Sequence, residues 1–152
     1  YVGGQMSCDV TLLDYVWDPR RQLITIEVRH RGSTIPIETR TVRASIGGPI
    51  TIAILQNGAY DVAIKGSHWL RKLLSPPSVT AGTVLAAVSL INGDCDGDNE
   101  VGIGDYAILS TAYNSAPGDG NWDINADLNG DDSVDIADYA ILSAQYGNSG
   151  DD

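Results

Sequence analysis

Two twelve-residue segments, DCDGDNEVGIGD at Asp94–Asp105 and DLNGDDSVDIAD at Asp127–Asp138, carry the pattern that decides the fold of this chain. Each segment has an acidic or amide side chain at its first, third and fifth places and an aspartate at its twelfth. The segments begin 33 positions apart, and each runs into a similar apolar stretch, DYAILSTAY or DYAILSAQY. This repetition predicts a duplicated unit of one loop and one helix.

The spacing of the oxygen-bearing residues is typical of a calcium loop. Ca²⁺ takes six to eight oxygen ligands at about 2.3–2.6 Å, and alternate residues of a tight loop can turn their oxygens toward one point. We therefore predict two bound Ca²⁺ ions. The predicted ligands are Asp94, Asp96, Asp98, the backbone carbonyl of Glu100 and Asp105 in the first loop, and Asp127, Asn129, Asp131, Ser133 and Asp138 in the second, with Asp135 able to hold a bridging water.

These loops differ from an ordinary EF-hand loop, which ends in a glutamate and has glycine at its sixth place. The sixth places here hold Asn99 and Asp132, residues that tolerate a left-handed backbone. With an aspartate ending and no helix before the loop, residues 92–147 resemble the duplicated F-hand of dockerin domains. The resemblance implies a small α-helical, calcium-dependent domain whose partner is a cohesin.

The resemblance also implies where the partner binds, because dockerins contact cohesins through the exposed faces of their two helices. Carried onto this chain, the contact positions are Ile103, Gly104, Ser110, Thr111, Ile136, Ala137, Ser143 and Ala144. Cellulosomal dockerins commonly have a hydroxyl pair at the first two of these positions and basic residues farther along the helix. This chain has neither, which favours a more apolar and different partner surface.

The charged residues divide the chain near residue 91. Residues 1–91 hold six acidic and all nine basic side chains, whereas residues 92–152 hold fourteen acidic side chains and no Lys or Arg. Because like charges at this density repel one another, we expect calcium to supply much of the folding free energy of the second part. The sequence therefore predicts two domains, 1–91 and 92–152, and a second domain that is loose or unfolded without calcium.

The first domain is predicted to be all β. Alternating or β-branched stretches are separated by turn signals such as Asn57-Gly58 and Pro76-Pro77. The predicted strands are 8–16, 22–30, 35–44, 50–55, 60–65, 68–74 and 83–91. About seven strands predict a sandwich of immunoglobulin or prealbumin type. The run 57–72 resembles a hairpin of prealbumin-like, carboxypeptidase-regulatory-like domains, which implies a non-catalytic spacer or binding module.

Nothing in the sequence indicates an enzyme. His30 and His68 have no ligand-pair spacing and are expected at the surface, and there is neither a nucleophile elbow nor a phosphate-binding glycine loop. The aromatic residues allow two interpretations in the first domain, a sugar-binding face or core filling, for Trp17, Tyr60 and Trp69. In the second domain we expect core positions for Tyr113, Trp122 and Tyr146.

The two cysteines, Cys8 and Cys95, predict a disulfide, either within the chain or between copies; two free thiols are the alternative. Calcium loops suit the millimolar calcium outside cells, so we expect a secreted, extracellular or cell-surface protein. No apolar run approaches the roughly 20 residues of a spanning helix. Neither membrane insertion nor binding to nucleic acid is expected. The sequence does not begin with a signal segment, so for a secreted protein Tyr1 is expected close to a mature end.

The sequence favours a non-catalytic assembly protein in which the basic first domain meets the acidic second domain of a neighbouring copy. Head-to-tail contacts that do not close build a filament, and the leader 1–4 or an open edge strand could add to them. The same complementarity could instead be satisfied between the two domains of one chain. The alternatives are a module anchored to a cohesin-like receptor and a glycan-binding accessory module of a polysaccharide-degrading complex.

Overall fold

The computed structural model describes residues 4–54 and 57–152, with Ile54 described by its backbone alone. A β-rich part comes first and two helices follow it. In chain order the elements are β1 (Gly4–Cys8), β2 (Val10–Leu12), β3 (Leu23–His30), β4 (Pro36–Arg43), β5 (Ile50–Ile54), β6 (Tyr60–Gly66), β7 (Lys72–Leu74), β8 (Val88–Leu90), α1 (Ile103–Ala112) and α2 (Ile136–Gln145), with a 3₁₀ turn at Pro19–Arg21.

The largest sheet has four antiparallel strands in the order β4, β3, β6, β7. Every second residue of β3 points to the core, so that Ile24, Ile26 and Val28 are buried. Ile26 lies opposite Ile64 of β6, and Val28 lies opposite Val62. These cross-strand pairs give the sheet one apolar face, which must be covered by other elements.

Two further strand pairs supply that cover. β1 pairs with β5 in antiparallel fashion and β2 pairs with β8 in parallel fashion. Side chains from both pairs, including Met6, Ile52 and Leu90, belong to the same buried cluster as those of the four-stranded sheet. The first part of the chain is therefore built around one β core.

The strands differ in detail from the predicted ones. Eight strands in three sheets lie within the described residues, because the predicted strand 8–16 is replaced by β1 and β2. The predicted strands 68–74 and 83–91 are shortened to β7 and β8, so that His68 lies in a turn and Trp69 forms an isolated bridge with Asn92. Residues 1–3 of the leader and Leu55 of the predicted strand 50–55 lie outside the described residues.

A second apolar cluster lies in the helical part of the chain. Its buried members include Val101 and Val134 from the loops and Leu109 and Leu142 from the helices. Leu70, from the turn before β7, is buried in the same cluster and joins the two parts. No helix in the described residues is both long and apolar enough to cross a membrane.

The predicted disulfide is wrong for this structure, in which Cys8 and Cys95 are both free. Cys8 is buried in the β core and Cys95 in the helical cluster, so that each thiol packs in a different part of the molecule. Burial also hides both thiols from a neighbouring copy. It raises the pKa of Cys8 to about 11 and raises the pKa of Cys95 as well, which keeps both in the unreactive thiol form.

A buried polar junction connects the two parts. The side chain of Asn92 donates to the carbonyls of Leu13 (3.2 Å) and Leu128 (2.7 Å), and its Oδ1 lies 2.7 Å from Nδ1 of His68. The ring of His68 stacks on Trp69 with 3.8 Å between centroids. His68 is thus buried rather than at the surface as predicted, whereas His30 is exposed as predicted.

Candidate metal site and helix face

The first loop brings together four of its predicted ligands. One carboxylate oxygen each from Asp94, Asp96, Asp98 and Asp105 lies within 4.8 Å of the others. Two oxygens bound to the same Ca²⁺ are at most about 5 Å apart, since each is about 2.3–2.6 Å from the ion. The cluster therefore has the dimensions and the hard oxygen donors that a calcium ion requires.

Backbone N–H groups hold these carboxylates in position. Asp94 accepts from the N–H of Gly97 at Oδ1 (2.9 Å) and from that of Asn99 at Oδ2 (3.0 Å). The second loop repeats this arrangement, because Asp127 accepts from Gly130 (3.0 Å) and Asp132 (2.9 Å). Both loops thus fix their first ligand with N–H groups three and five residues farther along the chain.

The sixth place of each loop adopts the backbone conformation that the sequence predicted. Asn99 has φ 69° and Asp132 has φ 64°, both in the left-handed region that glycine usually occupies. Asn99 also joins the loop to the β part, because its Oδ1 accepts from the N–H of Arg71 at 2.7 Å. The Asn99 side chain therefore also links the first loop to the β part of the chain.

The second loop brings together Asp127, Asp131 and Asp138. Asn129, at the third place, accepts from the N–H of Asp131 at 3.1 Å. Asp135 does not join the clustered carboxylates, because its Oδ1 caps α2 by accepting from the N–H of Ala137 at 2.9 Å. The structure thus gives the predicted water-holding residue a role in starting the helix.

The predicted carbonyl ligands, Glu100 and Ser133, occupy equivalent places in the two loops. Their N–H groups donate to Asp98 (2.9 Å) and Asp131 (3.1 Å), so the chain turns in the same way at each. The Glu100 side chain is not among the clustered carboxylates, which leaves only its backbone to act as a ligand.

The aspartate that ends each loop also begins the helix. Asp105 Oδ2 accepts from the N–H of Gly102 (2.7 Å), and Asp138 Oδ2 accepts from that of Asp135 (2.9 Å). Each aspartate is the third residue of its helix; in α2 the side chain of Asp135 completes a capping box, whereas Gly102 before α1 has no side chain to do so. Ligand position and helix start are therefore fixed by the same side chain.

The electrostatics of the loops favour a bound cation. Burial, together with the nearby carboxylates of Asp138 and Asp131, raises the pKa of Asp127 to about 6. Burial likewise raises the pKa of Asp138 and that of Asp105. Because these carboxylates are buried close to one another, a divalent cation among them offsets both their repulsion and their loss of solvation.

The two helices expose matching residues on their outer sides. In α1 these are Ile103, Tyr106 and Ser110, and in α2 they are Ile136, Tyr139 and Ser143; we call this set the helix face. Ile103 is 73% and Ile136 is 66% exposed. Tyr106 and Tyr139 meet edge to face with 5.9 Å between ring centroids and line a groove of about 390 Å³ between the helices.

The predicted contact residues are nearly all exposed. Seven of the eight are exposed, namely Ile103, Ser110, Ile136 and Ser143 of the helix face together with Thr111, Ala137 and Ala144. The eighth, Gly104, is half-buried. A side chain at position 104 would collide with the carboxylate of Asp96. Gly104 therefore leaves room for the Asp96 carboxylate beside the start of α1. The tyrosines Tyr106 and Tyr139 were missed by the sequence reasoning, although their repeat at equivalent places was visible.

Several aromatic residues lie elsewhere than predicted. Tyr113 and Tyr146 are 37% and 53% exposed, because each directly follows the last residue of a helix and turns outward. Trp122 packs partly buried against the helical cluster, as predicted. Of the three candidates for a sugar-binding face, Trp69 is fully buried, Tyr60 is half-buried and Trp17 is exposed, so the three form no common surface.

Two acidic loops, each closed by an aspartate that caps the following helix, define a duplicated F-hand unit. Residues 92–145 match the family model of the dockerin type I domain, and this part of the chain is a dockerin type I domain. No curated protein matches the chain significantly.

Two solved structures share the fold over nearly the whole length. They are described as a C-terminal and an N-terminal interface mutant of the type II Cohesin-X-Dockerin complex from Acetivibrio cellulolyticus, with TM-scores of 0.73 and 0.72. Their sequences are 21% and 19% identical to this one, and each match covers 97% of both chains. At this level of identity the likeness shows a common fold for the two parts of the chain together.

Proposed function

We propose that this chain is a non-catalytic, secreted docking module that binds a cohesin through the helix face of its dockerin domain. The observation that carries the proposal is the exposed, uncharged helix face, in which Ile103, Tyr106 and Ser110 recur as Ile136, Tyr139 and Ser143. Exposed aromatic and large aliphatic side chains in one patch are typical of protein interfaces. The solved complexes of the same fold, which are named for cohesin and dockerin, support this class of partner.

The proposal includes two Ca²⁺ ions, one in each loop, held by the carboxylates already described. The ions would fix the start of both helices, because Asp105 and Asp138 are at once ligands and capping residues. We further propose that residues 1–91 and 92–152 are the two domains. In this arrangement the β domain supports the dockerin domain through the junction at Asn92 and through Leu70.

Self-assembly into a filament loses its main support. Two of the basic side chains that suggested it pair with acidic residues of the same chain, Arg21 with Asp132 at 2.9 Å and Lys65 with Asp94 at 2.7 Å. Arg29 also donates to the carbonyl of Asp152 at 2.8 Å. Packing of the two domains in one chain, one of the two arrangements open from the sequence, therefore explains the charge pattern.

The direct test is binding to the cohesin of the Acetivibrio cellulolyticus complex and to a panel of other cohesins, measured by calorimetry with calcium and with a chelator. We expect binding that chelation abolishes. The double variant Ile103→Asp/Ile136→Asp should bind at least about 100-fold more weakly, because charged side chains would have to be desolvated at the centre of the interface.

The matched control is Ile35→Asp, which places the same charge at an isoleucine of equal exposure, 73%, in the β domain. This variant should bind like the unmodified chain. A folded, calcium-loaded chain that binds no member of the panel would contradict the proposed function. Equal binding by the double variant would show that another surface makes the contact.

A further inference from the structure

Lys65, on β6, reaches from the β domain to the first calcium loop. Its ammonium group donates to Oδ2 of Asp94 at 2.7 Å, to the carbonyl of Trp69 at 2.9 Å and to that of Gly66 at 3.3 Å. The side chain of Lys65 is 16% exposed and that of Asp94 is fully buried. All three N–H donors of the ammonium therefore have acceptors, and the pair is shielded from solvent.

In the second loop no lysine or arginine among the described residues donates to a clustered carboxylate. Asp127 accepts hydrogen bonds from backbone N–H groups only. Arg21 donates instead to Asp132, at the sixth place and outside the carboxylate cluster, at 2.9 Å and to the carbonyl of Gly130 at 3.5 Å. The first cluster has four carboxylates and the second has three. The positive charge of Lys65 thus offsets the negative charge of the one additional carboxylate in the first cluster.

We propose that Lys65 is a resident counter-cation and positioning residue of the first loop, which holds Asp94 in place without calcium and weakens calcium binding by that loop. This inference rests on the proposed calcium site. Lys65 and the ion both interact with the carboxylate of Asp94 and repel each other at short range. Each therefore lowers the net stabilisation that the other provides, and the effect is reciprocal.

Lys65 also affects the state that is expected without calcium. With Lys65 in place, Asp94 remains paired and the first loop stays attached to the β domain through Asn99 and Arg71. The second loop is also attached to the β domain, through Arg21 and Asp132, but no cation among the described residues pairs with its clustered carboxylates, so that cluster depends more strongly on its ion. Loss of calcium should therefore loosen the second loop before the first, in place of the uniform unfolding that composition alone predicts.

The test is the variant Lys65→Met in the full chain, with Lys72→Met as the matched control because Lys72 is an exposed lysine of the adjacent strand. Calcium affinity is measured by competition with a chelator and followed by NMR. The amide resonances of Gly97 and Gly130 report the two loops separately, since these N–H groups donate to Asp94 and Asp127.

We expect Lys65→Met to bind calcium about tenfold more tightly in the first loop, with the second loop and the control variant unchanged. In urea unfolding the variant should lose more stability in chelator than in saturating calcium. Unchanged or weaker binding in the first loop would overturn the role of Lys65 and leave the calcium site intact. An unmodified chain that binds no calcium would refute the site itself.

A second neutral variant, Lys65→Gln, keeps a polar group that can bond to the neighbouring carbonyls. If neither neutral variant folds in saturating calcium, Lys65 is required by the folded domain whether or not the ion is present, and the proposal is overturned. If Lys65→Gln folds, it should show the same tighter binding as Lys65→Met, because both remove the positive charge.

Discussion

The side chain of Asn92 bonds to four groups at the junction, and the stability cost of replacing it depends on which of them keep another partner. Replacing Asn92 with Ala removes the hydrogen bonds that its amide donates to the carbonyls of Leu13 and Leu128 and those that its Oδ1 accepts from Nδ1 of His68 and the N–H of Gly93. Two of these four groups keep another partner. Leu13 still accepts from the indole of Trp69 at 3.0 Å, and Gly93 still donates to the carbonyl of His68 at 3.0 Å.

The other two groups, the carbonyl of Leu128 and Nδ1 of His68, lose the bond that Asn92 made to each. Leaving a buried polar group unsatisfied costs about 1–3 kcal/mol. Asn92→Ala should therefore lower the free energy of unfolding by about 4 kcal/mol. Since the bonds run from position 92 to both parts of the chain, the loss should appear in the unfolding of both.

The assay is urea unfolding in saturating calcium in a Trp122→Phe background, followed by the fluorescence of Trp17 and Trp69 for the β part and by far-UV circular dichroism for the helices. The matched control is Asn148→Ala, since Asn148 is exposed and its amide bonds only to Gln145 at 2.8 Å. That change should alter stability by less than about 0.5 kcal/mol. A loss below about 1 kcal/mol for Asn92→Ala would refute the reasoning.

Two further predictions concern pH and calcium. Burial, with a smaller contribution from Lys65, lowers the pKa of His68 from 6.5 to about 4. Below pH 6.5 the unfolded chain therefore binds a proton that the folded chain does not. Stability should be fully present above pH 6.5 and should fall by about 3 kcal/mol between pH 6.5 and 4. His68→Phe should show a shallower pH dependence in urea unfolding, and an unchanged slope would contradict the assignment. The double variant Asp94→Ala/Asp127→Ala should bind no calcium in calorimetry. Its helical part should loosen while the β core stays folded. Two ions bound with unchanged affinity would show that the loops are misassigned.

The loops were predictable from the sequence because all their oxygen donors lie within twelve consecutive residues. In such a segment the spacing of side chains along the chain almost determines their spacing in space. The left-handed backbone at Asn99 and Asp132 follows from the same local logic. The helices were predictable for the same reason, since Asp105 and Asp138 fix where each begins.

The junction was not predictable, because it joins residues far apart in the chain. Lys65 and Asp94 are 29 positions apart, and Asn92 and Leu128 are 36 apart. Nothing in the spacing of these residues indicates their contact. The pattern of apolar residues in 68–74 predicted a strand, but packing of Trp69 against the junction takes the first residues of this stretch out of the sheet. Tertiary packing therefore overrides the local strand propensity at these residues.

Charged and apolar side chains have different roles in the helical part. Its acidic residues are concentrated in the loops, where they meet one another and the β domain's Arg21 and Lys65. The six positions of the helix face carry no charge at all. Electrostatic interactions therefore hold the loops and join the two parts of the chain, whereas the proposed partner surface offers apolar contact. Because the helix starts are fixed by the same aspartates that form the loops, a change in loop occupancy alters the geometry of the helix face without altering its composition.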